Sequence, residues 1–184
     1  MKGAIDTGKL RPNQGRTNQK LYFARLQLDR VQALLEAKTA FSWEAEALSC
    51  REAAILHLHG AYLAFLQELV RFYKLQGPLM TSEAVRVAMA AKGQVSPEIT
   101  VLQQLEQDAG SWLAELMRAH QDCLIAPDQV PVAVAEEETA SRAINVVVVA
   151  GDNPLSSRDI ASIQRWLQEL TQVIRDFRRE MQEW

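Results

Sequence analysis

The side chains that could do chemistry gather in one stretch, residues 42–75. There Leu48, Arg51, Ile55, Leu58, Tyr62, Phe65, Leu69 and Phe72 recur in alternating steps of three and four. At about 100° per residue they share one helical face. Arg51 is the charged member of an otherwise apolar stripe. A buried cation left unpaired is strongly destabilising, and arginine does not escape by deprotonating. Arg51 therefore needs a carboxylate, several carbonyl acceptors, or a wet cleft. Glu44 is on the same face but two turns away, so a partner on another helix is indicated, with Asp29 and Asp176 as candidates. With a carboxylate beside it, Arg51 is an ion pair that fixes helix register. Facing a cleft beside His59 and Tyr62, it becomes a candidate binding site for a small anion.

His57 and His59 point about 160° apart on a helix, so they cannot grip one metal ion. His59 lies beside the stripe, near Ile55 and Tyr62. His57 projects toward the small residues Ala53, Gly60 and Ala64, where another helix could approach closely. His120 and Cys123, three residues apart, could share a ligand, but a zinc site needs about four ligands. The chain has no Glu-x-x-His pair of the di-iron bundles, no glycine-rich phosphate loop, no Gly-x-Ser-x-Gly elbow and no HExxH. No metal, no cofactor and no catalytic residue is assigned on this basis.

Arg51 followed by His57 does match one loose pattern, an Arg with a His six residues on. It resembles the motif of the HEPN family, helical bundles that include metal-independent ribonucleases working as dimers. The resemblance implies an alternative function, an RNA-cleaving or RNA-binding bundle using Arg51 and His57. In that family the motif usually lies near the end of the domain. Here it falls on the second helix, with the two side chains about 120° apart.

The bulk numbers frame these residues. A length of 184 residues suits one domain, at roughly 100–200 residues per domain. The net charge of −3 gives no general pull toward nucleic acid or anionic membrane. Residues 1–30 are the exception, with seven cations against two carboxylates, a net +5. Residues 1–15, with Gly3, Gly8, Pro12 and Gly15, read as a flexible basic arm, and residues 16–184 as a single helical domain. Cys50 and Cys123 read as two buried thiols of a reducing compartment. No apolar secretory segment stands at the N-terminus. No stretch approaches about 18 uncharged apolar residues, so no membrane span is read. The expected location is the cytoplasm.

The spacing predicts the elements that must position these groups. A first helix runs from about Thr17 to Ala37 on the stripe Leu21, Ala24, Leu28, Val31 and Leu35. Phe23, Leu26 and Leu34 lie off that stripe, which indicates a second neighbour or a second subunit. The long second helix starts with Ser42 as its cap and ends at Gly77-Pro78. A short third helix spans about Ser82 to Lys92. Ser96-Pro97-Glu98 starts a fourth, carried by Leu102, Leu105, Ala109, Trp112, Leu116 and Cys123 to before Pro127, with Gly110 as a weak point. Residues 126–155 break the helical pattern. Their Val-rich runs, 129–135 and 144–150, flank Glu136 to Glu138 and read as a long crossover loop or a short β-hairpin. Ser156 with Asp159 resembles a capping box for the last helix, whose stripe is Ile160, Ile163, Leu167, Leu170, Ile174, Phe177 and Met181. The fold class is all-α: an antiparallel four-helix bundle with one extra short helix and a long Val-rich crossover before the last helix.

A broader resemblance spans these helices. The segment Arg16 to Ala24 (RTNQKLYFA), Arg51-Glu52-Ala53-Ala54, Leu56 to Ala61 (LHLHGA), Phe72 to Leu75 (FYKL), Trp112-Leu113 and Glu183-Trp184 resemble a family of small helical proteins of unknown function from pseudomonads and related bacteria. That family often has Tyr where this chain has His59. The resemblance implies a bacterial, cytoplasmic protein and carries over no activity, cofactor or functional residue. The function expected from the whole sequence is a non-enzymatic bundle acting through protein contacts, as a homodimer or an adaptor.

Overall fold

A computed structural model describes residues 12–38, 41–125 and 154–182. Six helices make up the described fold: α1 (Pro12–Ala37), α2 (Trp43–Phe72), α3 (Ser82–Ala90), α4 (Pro97–Gln107), α5 (Trp112–Asp122) and α6 (Ser157–Glu180). No strand occurs among the described residues. The crossover loop and hairpin expected for residues 126–155 lie outside the described residues, apart from the turn at Pro154 and Leu155.

The second helix organises the rest. α1 returns along α2 as an antiparallel partner, with Arg30 against Glu46, Lys20 against His57 and Thr17 against Glu68. Ala24, Ala47, Ala54 and Ala61 are fully buried, and such small side chains allow close backbone approach. The Lys20 stem lies 3.5 Å from where a Cβ on Gly60 would stand. α6 runs in the same direction as α2, through Asp159 with Arg51, Phe177 stacked on Phe65 with centroids 6.1 Å apart, and Arg178 with Glu68. α4 and α5 run against α2, pairing Glu98 with Tyr73, Glu106 with Tyr62 and His120 with His59. One core unites Ile55, Leu58, Phe65, Leu66 and Leu69 of α2 with Ile163, Leu170 and Ile174 of α6 and Leu113 and Leu116 of α5. Each such side chain contributes about 1.5–3 kcal/mol of burial.

By length and composition α2 could cross a membrane, and 56% of its most apolar window is buried inside the fold. That buried share belongs to the core just described.

Three boundaries differ from the periodicity reading. α1 starts at Pro12, so residues 12–15 join the helix rather than the arm. The α2 helix stops at Phe72, not at Gly77-Pro78. Lys74 takes a left-handed φ of 53°, Leu75 N–H bonds Val70 O at 2.8 Å and Lys74 N–H bonds Arg71 O at 3.1 Å. These two bonds form a Schellman closure, which satisfies carbonyls that the helix end would orphan. The fourth helix is broken in two. At Asp108 the backbone turns extended (φ −77°, ψ 103°), and the Asp108 carboxylate accepts the Gly110 N–H at 3.0 Å. Ser111 then caps α5, accepting from Ala114 N–H at 3.1 Å while donating to Leu105 O. Local side-chain acceptors here outcompete the helical ladder.

Candidate functional site

Arg51, His59 and Tyr62 of α2 form a seam and meet three different helices, α6, α5 and α4. Arg51 stands near the end of α2 that meets the start of α6. Ser156 caps α6 by accepting the Asp159 N–H at 3.2 Å. The Asp159 carboxylate accepts Arg51 Nε at 2.7 Å and Nη2 at 2.9 Å. The two side chains are 17% and 24% exposed, so water screens the pair only partly. Burial opposes the Arg51 charge; the hydrogen bonds and charge of Asp159 outweigh it and hold the guanidinium above its ordinary pKa. Asp29 and Asp176 are not the answer. Asp176 pairs with Arg179 on its own helix.

His59 stacks on His120 of α5, with ring centroids 3.6 Å apart and planes inclined by 22°. Its pKa is pushed down to about 4, first by burial and then by His120, and burial lowers that of His120 too. Two neutral imidazoles face to face are therefore the stable form near neutral pH. Cys123, at the end of α5, has its thiol pushed up, mainly by burial and then by Glu52. A raised thiol pKa means little thiolate, hence a poor nucleophile.

Tyr62 is buried, and its hydroxyl donates to Glu106 of α4, which also accepts from Ser82 at the start of α3. Burial first, then the Glu106 interaction, raises the Tyr62 phenol far above its ordinary range. Arg51, His59 and Tyr62 thus share a seam, yet each is held by its own partner.

His57 faces α1. Its ring lies 5.3 Å from that of Phe23, with Lys20 Nζ 3.4 Å from Nδ1. Burial, followed by Lys20 and Arg16, lowers its pKa. Arg51 reaches α6 while His57 reaches α1, so one chain does not bring the Arg51–His57 pair together.

A second charged cluster escaped the sequence reading. Glu68, 7% exposed, accepts Arg178 Nε at 3.0 Å and Nη2 at 2.6 Å and also the Thr17 hydroxyl. Arg178 Nη1 donates to Asn18 Oδ1 at 2.8 Å. The signal was present in the sequence: a single carboxylate inside the run Phe65 to Val70, where an acidic side chain demands a partner.

Among the described residues, no three His, Cys, Asp or Glu side chains converge as metal ligands. Arg51, Tyr62 and Glu68 are each bonded to a group on another helix, so these contacts can hold the helices in register. A family model, DUF6586, described as a family of unknown function, matches residues 12–184. No curated protein and no solved structure matches the chain.

Proposed function

The chain belongs to DUF6586, a family of unknown function, and from that premise we propose that it is a non-enzymatic helical bundle working through protein contacts, first of all with a second copy of itself. One observation carries this reading. Tyr22 and Leu26, one turn apart on α1, are 58% and 43% exposed. Large apolar side chains displayed in pairs on a helix are the material of interface anchors. Leu56 of α2, 41% exposed, adds to the supply. Of the off-stripe residues Phe23, Leu26 and Leu34, Leu34 is buried in its own chain and Phe23 packs on His57, which leaves Leu26 exposed.

Within this reading the helices form an antiparallel four-helix bundle. α1, α2, the broken α4–α5 and α6 alternate in direction, and α3 is the extra short helix. The running directions of the paired residues support it, as does the up-down topology usual for such bundles. Free Cys50 and Cys123 suit a reducing cytoplasm. The Arg51–Asp159 pair serves to fix register, a role buried ion pairs fill in some helical assemblies.

The test is sedimentation velocity on the full chain over a wide concentration range. A reversible dimer that Tyr22→Glu with Leu26→Glu converts to monomer is expected. A strict monomer at the highest concentration overturns self-pairing. Capture of a stable protein partner, lost in the same double variant, would then support the adaptor form.

A further inference from the structure

The first turns of α1 and the last turns of α6 flank an open cleft of about 370 Å³. Leu21 and the arginine stems supply apolar surface above the buried Ile174, and the guanidinium groups of Arg175, Arg178 and Arg179 with Asn18 supply polar groups. The eight lining residues include three arginines and no carboxylate.

The three arginines are not equally occupied. Arg178 is fixed by Glu68 and Asn18 through three hydrogen bonds. A guanidinium has about five N–H donors, so two of its own remain. Arg179 pairs with Asp176 at 3.2 Å, with its side chain 69% exposed, a surface pair of little strength. Among the described residues Arg175 has no carboxylate within ion-pair distance, and its Nη1 reaches only the amide of Gln172, at 3.5 Å. Cations near a helix C-terminus also offset the dipole. The dipole, however, requires no apolar surface between two helices beneath them.

We propose that this cleft binds a small amphipathic organic anion. Arg175 and Arg179 hold a carboxylate or phosphate head against the fixed Arg178 guanidinium, which matches oxyanions two hydrogen bonds at a time. A short apolar body lies on Leu21 and the methylene stems of the arginines, above the buried Ile174. The volume falls in the range of small-molecule sites. This cleft is separate from Arg51, whose guanidinium is paired with Asp159.

Isothermal titration of the full chain tests this with four probes: octanoate, octyl phosphate, octanol and inorganic phosphate. Saturable binding of octanoate or octyl phosphate is expected, and which of them binds tighter identifies the head group. Arg175→Ala with Arg179→Ala should weaken it by at least about tenfold. Both side chains are exposed, so the double variant keeps the parent's circular dichroism. Arg165→Ala, an exposed arginine of the same helix bonded to Glu115, should leave binding unchanged. No saturable binding, octanol or inorganic phosphate binding as tightly as the amphiphiles, or indifference to the double variant overturns the proposal.

Discussion

Arg51 and Asp159, separated by 108 positions in sequence, meet through two hydrogen bonds between the same pair of charged groups. Asp159 answers two helices at once. Its backbone N–H completes the Ser156 cap of α6, and its carboxylate holds α2. The start of α6 is thereby tied to α2. The residue whose N–H satisfies the Ser156 cap is thus also the one whose carboxylate carries the ion pair.

Replacing Arg51 by Met leaves Asp159 half-buried without its cation. The expected loss is about 2 kcal/mol, below the figure for a fully buried pair because water still reaches this one. Asp159→Asn should cost a similar amount, and the double variant less than the sum of the two. Urea unfolding of the four proteins checks this. Strictly additive losses would mean the two groups do not interact in solution.

The Glu68 cluster should be the more sensitive of the two. Its carboxylate is more deeply buried and serves Arg178 and Thr17 together. Glu68→Gln is expected to cost roughly 3 kcal/mol, and Thr17→Val about 1 kcal/mol. Thermal melts at neutral pH would show the ranking, and equal melting temperatures for Glu68→Gln and the parent would refute it.

Stability should fall on mild acidification. In the folded chain His59 is held down to about 4, against an ordinary value of 6.5. As pH drops, the unfolded chain takes up its proton first, near 6.5; the folded chain follows only near 4. The contribution is complete above pH 6.5 and is lost between 6.5 and 4. Allowing for the solvent that still screens this ring, the loss is about 1 kcal/mol. His59→Phe should flatten that part of the unfolding free-energy profile. An unchanged slope would show that the stacked pair does not cause it.

Lys74 pays a conformational cost at the end of α2, at φ 53°. A left-handed non-glycine residue is disfavoured by roughly 1 kcal/mol. Lys74→Gly should therefore stabilise the protein by about 0.5 kcal/mol, net of the extra freedom glycine brings to the unfolded chain. Lys92 donates to the backbone carbonyl of this residue, not to its side chain, so that contact survives. A melting temperature at or below the parent's would count against the closure described here.

The sequence by itself determined the helices and most of their buried faces. Stripes such as Ile160, Ile163, Leu167, Leu170 and Ile174 repeat with the helical period, which is a local property of the backbone. Caps such as Ser96 before Pro97 and Ser156 before α6 are local too, and both side chains accept the N–H three residues on. The unpaired charge of Arg51 was legible for the same reason, as a break in a periodic pattern. Family membership was legible in the short segments from Arg16 to Leu75.

Only the tertiary structure decided which groups meet. Arg51 found Asp159, Glu68 found Arg178, and His59 found His120, each across a gap of dozens of residues. Such pairs depend on which helix lies beside which, in what direction and at what height. Those are set by packing of whole apolar faces, which one-dimensional spacing does not encode. The break at Asp108 is local instead, hidden in the sequence because the apolar spacing runs through it. Gly110 weakens a helix wherever it stands, but whether it bends or ends one depended on Asp108 and Ser111 capturing the backbone groups. The arginines of α6 do depend on the tertiary structure. In sequence they are a helix's basic last turns, and only the approach of Leu21 and Asn18 from α1 makes them the wall of a cleft.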